Sequence, residues 1–301
     1  MAEKLFPGFE RNRVTVLSDN GEITIPYVVG GQGPALLLLH GFPQTHAMWH
    51  KVAPALAQHF TVVASDLRGY GEASKPKASS ALNPYNKRAM ANDQLQLMQQ
   101  LGHTRFSILA HDRGARVAHR LALDHPDSVE KLMLLDIAPT LSMYENTDLT
   151  FATVYWHWFF LIQKSPLPET LISNDPEFML RSFMGGRHAG MQAFAPEAWE
   201  EYLRAARNPE VVHAMCEDYR AAATIDLEHD RADRERGHKL RTPVRVLWGE
   251  YGGLNKCFNP LEHWRQFADR VDGRALPCGH YIAEEEPEML IQETVEFFSD
   301  I

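Results

Sequence analysis

The sequence predicts an α/β protein: a mostly parallel, doubly wound sheet interrupted by a helical insertion. Three observations predict it. Continuous apolar runs alternate with stretches of helical spacing, as in strands covered on both faces. After Pro139, roughly a hundred residues carry helix formers and aromatics but no clear strand. Sheet-like sequence then resumes at Val244-Arg245-Val246-Leu247-Trp248-Gly249.

The elements follow in order. Residues 12–28 read as a hairpin, RVTVLS and EITIPYVV around the turn signal Asp19-Asn20-Gly21. PALLLLH (34–40) and FTVVASD (60–66) are buried strands, ending in the turns Gly41-Phe42 and Arg68-Gly69-Tyr70-Gly71. Residues 86–101 have helical spacing. RFSILAH (105–111) is a third strand, and a helix over 113–125 stops before Pro126. VEKLMLLD (129–136) is a fourth. Beyond 244–249 come a helix over 259–270, a short strand near 273–277 and a last helix over 286–299. The expected division is a core of residues 1–140 and 237–301, with 141–236 as a helical cap above the carboxyl ends of the strands.

Composition narrows the function. The 301 residues are 45% apolar, enough for a sizeable core, and the formal net charge is −9. No basic stripe or tail is present, which argues against a nucleic-acid partner. An anionic substrate would need arginines to make a locally positive pocket. Cys216, Cys257 and Cys278 lack metal-ligand spacing and read as reduced thiols of a cytoplasmic protein. The N-terminal residues lack the apolar stretch of a signal peptide, and no run approaches about 18 apolar residues, so no membrane span is expected. No HExxH, CxxC or GxGxxG signature occurs, so no metal or organic cofactor is expected.

In open α/β sheets, reactive groups collect beyond the carboxyl ends of strands. His40-Gly41-Phe42, Asp112, Asp136 and His280 all fall there. Asp112 suits a helix N-cap. However, Ala110 two residues before and Gly114 two residues after permit a sharp strand-to-helix turn, a nucleophile elbow with aspartate in place of serine. A carboxylate nucleophile suits displacement at sp³ carbon. Serine would leave an ether, whereas aspartate leaves an ester that water can cleave. His280, after Gly279, is the expected base. Asp136 is its expected partner, with Glu250 as the alternative acid. The backbone N–H groups of Phe42 and Arg113 are the expected oxyanion hole, each donor worth about 3–4 kcal/mol.

Two arginines stand beside the elbow. Arg113 and Arg116 are three residues apart, so on a helix they lie roughly 60° apart around the axis and about 4.5 Å apart along it. Bidentate contacts from such a pair would hold a substrate carboxylate. They would also offset a like-charge contact with Asp112 that costs on the order of 4 kcal/mol.

Taken together, HGFPQTHAMW (40–49), SDLRGYGEASKP (65–76), HDRGARVAHRLALDHP (111–126), LDIAPT (135–140), YWHWFF (155–160), CEDYRAAATIDLEHD (216–230) and PCGH (277–280) resemble the haloacetate dehalogenases of the α/β-hydrolase superfamily. Within that group the chain is most similar to the fluoroacetate dehalogenases. The resemblance runs along nearly the whole chain. It implies an α/β-hydrolase fold with Asp112, Asp136 and His280 as nucleophile, acid and base, and Arg113 and Arg116 on the carboxylate of a 2-haloacid. It also implies a halide site of His157, Trp158 and Tyr219, three side chains able to donate hydrogen bonds, and a homodimer. Without the resemblance, Tyr155-Trp156-His157-Trp158 reads as cap core. Gly252-Gly253-Leu254-Asn255 and Tyr281 lie in loops that depart from the pattern. Two other readings follow from the same residues. An epoxide hydrolase would use Asp112, His280 and cap tyrosines such as Tyr155 and Tyr219. A ligand-binding protein of the same fold would lack turnover.

Overall fold

The computed structural model describes residues 5–19, 21–77 and 83–299, so Asn20 of the hairpin turn lies outside the described residues. Eight strands form one sheet in the order β1-β2-β4-β3-β5-β6-β7-β8. β1 (Glu10–Ser18) and β2 (Gly21–Gly30) are the hairpin, paired from Glu10↔Val29 to Ser18↔Gly21. β2 also runs antiparallel to β4 (Thr61–Ser65). The remaining pairs are parallel: β3 (Ala35–Leu39) lies between β4 and β5 (Phe106–His111), followed by β6 (Val129–Leu135), β7 (Val244–Gly249) and β8 (Val271–Leu276). β3 and β5 are apolar in nearly every position because helices cover both faces. β8, at the sheet edge, alternates half-covered and exposed positions.

Helices Lys87–Gln100 and Asp112–Asp124 carry the chain from β4 to β5 and from β5 to β6, and pack against each other. Asn86 starts the first, its side chain accepting the Ala89 N–H at 3.0 Å. Between β6 and β7 the described chain is helical from Thr140 to Glu235, with no strand. Local signals start these helices too. Asp148 caps Leu149–Val154 through the Phe151 N–H at 2.8 Å, and Asp175 caps Pro176–Met184 through the Phe178 N–H at 3.0 Å. Helices Trp156–Leu161 and Pro209–Ala222 bring aromatic rings onto the start of Asp112–Asp124, the Tyr219 ring lying 4.1 Å from the Arg113 guanidinium carbon.

Two local expectations change. The helix expected over 259–270 ends at Trp264. Residues beyond it pair with the strand entering β7 instead: the Leu240 N–H donates to Phe267 O at 2.9 Å and the Asp269 N–H to Leu240 O at 3.0 Å. A helix at Gly253–Cys257 replaces an expected loop, with Asn255 accepting the Trp248 indole N–H at 3.0 Å. Among the described residues no helix is long and apolar enough to cross a membrane.

Candidate active site

The turn between β5 and its helix is strained and tightly packed. Asp112 has φ of +45°, in the left-handed region that side chains seldom adopt. Glycines on both sides make room for it. A Cβ on Gly41 would lie 2.5 Å from the Asp112 Cβ, and one on Gly114 would lie 2.3 Å from His40 O. The turn therefore lifts the Asp112 carboxylate above the sheet, where Oδ1 accepts the Phe42 N–H at 2.9 Å. The Arg113 N–H, at the start of the helix, has no intrahelical acceptor. Burial pushes the Asp112 carboxyl up, but the His280 ring and the nearby guanidinium groups outweigh it and hold the group below the usual carboxylate range.

His280 Nδ1 lies 2.5 Å from Asp136 Oδ2. Asp136 is fixed at the end of β6: its N–H donates to Leu247 O at 2.8 Å, and its Oδ1 accepts the Gly249 N–H at 3.0 Å. It too has positive φ, +51°. Glu250 is exposed and makes no hydrogen bond to His280, so the carboxylate paired with His280 is Asp136. Two supports for His280 were not read from the sequence. His111 Nε2 lies 2.9 Å from His280 O. A carbonyl can only accept, so Nε2 carries the proton. Burial and the neighbouring His280 push His111 down to about 3, which keeps that ring neutral. Glu285 accepts the Gly279 N–H at 2.6 Å and the Tyr281 N–H at 3.0 Å, clasping the loop on either side of His280. The cue for Glu285 is faint, an acidic residue five positions after His280 within an acidic run. Gly252 approaches Asp136, and Gly253 packs against Val154 of the inserted helices, which accounts for the glycine pair in that loop.

The two arginines differ. Arg113 is wholly buried. Its Nε donates to Asp218 Oδ2 at 2.8 Å, and its Nη2 donates to Asp218 Oδ1 and O, both at 2.9 Å. Only Nη1 is left without a partner. Arg116 donates from Nη1 to Ala138 O at 3.1 Å and Thr140 Oγ1 at 2.7 Å, contacts Met143 Sδ through Nη2, and leaves Nε free. It makes no ion pair among the described residues. The expectation of a bidentate clamp is thereby altered, because each guanidinium leaves one nitrogen without a partner. For Arg113 the cause is Asp218, an acid on a different element that spacing alone does not reveal; for Arg116 it is Ala138 O, Thr140 Oγ1 and Met143 Sδ.

Aromatic donors complete the wall. The Trp158 ring lies 4.8 Å from the Arg116 guanidinium carbon and 6.1 Å from the Tyr219 ring. His157 stacks on Phe42 with centroids 5.9 Å apart and lies 6.1 Å from Tyr219. Trp158 Nε1 and the hydroxyls of Tyr219, Tyr155 and Tyr144 are buried without hydrogen-bond partners. Burial, then the positive Arg187, pushes His157 well down, so its ring is neutral and has one N–H to donate. A cleft of about 750 Å³ leads in from the surface, lined by His280, His157, Trp156, Phe183, Arg187 and Lys256 among others. Buried polar atoms usually find partners. Here several donors without partners converge beside one carboxylate, and such a wall can stabilise an anion and its departing charge.

Comparison with known proteins agrees with this architecture. The family described as the α/β hydrolase fold matches residues 34–287. A fluoroacetate dehalogenase from Burkholderia sp. is 46% identical over 297 residues, covering 98% of this chain and 96% of that protein. A soluble epoxide hydrolase from Corynebacterium sp. (strain C12) is 33% identical, covering 91% and 93%. The crystal structure of a candidate α/β hydrolase from Nostoc sp. PCC 7120 superposes with a TM-score of 0.92 at 52% identity, covering 97% of this chain and 99% of that one. With the elbow, the ordered sheet and full-length similarity in agreement, the chain belongs to the α/β-hydrolase family.

Proposed function

We propose that this enzyme is a hydrolytic dehalogenase of haloacetates, fluoroacetate among them, working through an ester on Asp112. The observation that carries the reading is a set of buried donors without partners: Arg113 Nη1, Arg116 Nε and the Tyr219 hydroxyl, close enough to Asp112 to act on its charge, and Trp158 Nε1, whose ring lies against Arg116 and Tyr219. The arginine nitrogens bind the substrate carboxylate. Asp112 Oδ2 attacks C2 from the side opposite the carbon–halogen bond, forming a C–O bond as the halide leaves with the bonding pair. His157, Trp158 and Tyr219 donate hydrogen bonds to the departing halide as its charge develops.

His280 then takes a proton from water, and the resulting hydroxide equivalent adds to the ester carbonyl carbon. The oxyanion rests on the N–H groups of Phe42 and Arg113. Collapse expels glycolate, which takes the proton that Asp136 has steadied on the His280 imidazolium, and Asp112, left as a carboxylic acid, loses its proton to solvent and returns to the carboxylate. The helical segment 141–236 acts as a cap that excludes water from the first step. The same reading takes the chain as a cytoplasmic homodimer that needs no cofactor.

The test is halide release from fluoroacetate and from chloroacetate. His280→Ala should accumulate the carboxymethyl ester of Asp112, seen as a mass increase after substrate exposure. An unmodified variant, or no halide from the unaltered enzyme, overturns the reading. A second reading, epoxide hydrolysis, is favoured by the free and buried phenols of Tyr155 and Tyr219, both pushed well above their usual range, first of all by burial. Turnover of a neutral epoxide without halide release would select it.

A further inference from the structure

Asp218 has no role in the steps above, yet it is wholly buried and gathers three donors from the core. Besides Arg113, it accepts the Tyr70 hydroxyl at 2.7 Å on Oδ2 and the Lys87 ammonium on Oδ1. Lys87 also lies 3.6 Å from Asp226 Oδ2, and its backbone N–H donates to Asp226 Oδ1 at 2.8 Å. Two cations and two carboxylates thus share one dry site, and the charge of Arg113 is already matched. Tyr219, the next residue on helix Pro209–Ala222, places its ring against the same guanidinium.

Resting on the haloacetate reading, we propose that Asp218 is a positioning residue. It holds three of the five Arg113 N–H donors inside the protein, so that Nη1 alone, with the remaining two, faces the substrate carboxylate. Because Asp218 and Tyr219 are adjacent on one rigid helix, the carboxylate grip and the halide grip are set at a fixed separation across C2. Asp218 therefore acts on orientation rather than on affinity.

This predicts an uncommon kinetic signature. In Asp218→Asn the guanidinium is released and presents more donors and more unmatched charge to an anion, but in less defined geometry. The kcat for chloroacetate should fall by about thirtyfold or more, while KM stays within about threefold of the unaltered enzyme or decreases. Inhibition by glycolate should be unchanged or tighter. Should the single variant fail to fold, Lys87→Met/Asp218→Asn removes one charge of each sign and should show the same split. Lys87→Met alone keeps the Asp218–Arg113 pair and should keep kcat within about threefold.

The outcomes separate two failures. If the unaltered enzyme releases no chloride, the haloacetate reading falls and this proposal falls with it. If it releases chloride and the folded Asp218 variant retains kcat, only the positioning role is overturned. A Lys87→Met loss equal to that of Asp218→Asn would also overturn it, since the effect would then belong to the whole charged cluster.

Discussion

Arg113 and Arg116 lie one helical turn apart, yet their electrostatic situations are opposite. Asp218 outweighs burial and holds the Arg113 guanidinium above its usual range; burial, then Arg113 itself, pushes Arg116 below its own. Arg116 is thus the unmatched positive charge that a bound carboxylate would neutralise. Arg116→Met should raise KM for chloroacetate by roughly a hundredfold, the equivalent of about 3 kcal/mol, with a smaller change in kcat. Initial-rate kinetics on this variant and the unaltered enzyme would check this. An unchanged KM would mean that the counter-charge for the substrate lies elsewhere.

At the scale of elements, the join between inserted helices and core includes another buried acid. Glu284, on the short helix Ile282–Glu285, accepts the Tyr202 hydroxyl at 3.1 Å and the Gln44 amide at 2.5 Å. It thereby ties helix Pro196–Ala206 to the loop after β3. Burial pushes Glu284 up from 4.5 to about 8. Between those values the folded chain keeps a proton that the unfolded chain has lost. Stability therefore falls as pH rises through this window, by up to about 1.4 kcal/mol per pH unit, and levels off above it. Glu284→Gln should gain on the unaltered protein in melting temperature as pH goes from about 5 to about 9. A constant difference would contradict this.

The sheet strands were legible because continuous apolar runs leave few alternatives, and Asp112, Asp136 and His280 because strand ends are where such groups collect. The shortened 260–264 helix was not, because the pairing of Leu240 with residues 267–269 depends on chain far away in sequence. Asp218, His111 and Glu285 act through partners 105, 169 and 6 positions away. Spacing shows a residue's own type and period; it does not show what a distant element brings to meet it.

Over the whole molecule, the charge is −9, a poor prospect for an anionic substrate at long range. The cleft departs from that average. Its wall carries Arg187 and Lys256 against Glu250. Arg187 makes no ion pair among the described residues; its guanidinium lies 5.8 Å from the Tyr281 ring and its Nε donates to Phe183 O at 3.3 Å. Arg187→Gln should lower kcat/KM for chloroacetate by about three- to tenfold at low ionic strength, and the deficit should shrink as salt approaches about 0.5 M. Rates across a salt series would check it, and a deficit independent of salt would count against steering.

The hydrogen bond from the Phe42 N–H to Asp112 Oδ1 makes the two oxygens of that carboxylate unequal. In the proposed ester mechanism, with Oδ1 keeping that partner through the cycle, Oδ2 alone would depart with each molecule of glycolate, and an atom from water would take its place. The enzyme would then be a consumer of its own substance, renewed at one atom and permanent at its neighbour. After many turnovers in heavy-oxygen water, the Asp112 peptide would carry one heavy oxygen. A second would appear only as fast as the carboxylate turns over in its seat, so the isotope pattern would serve as a clock for a rotation that kinetics cannot see.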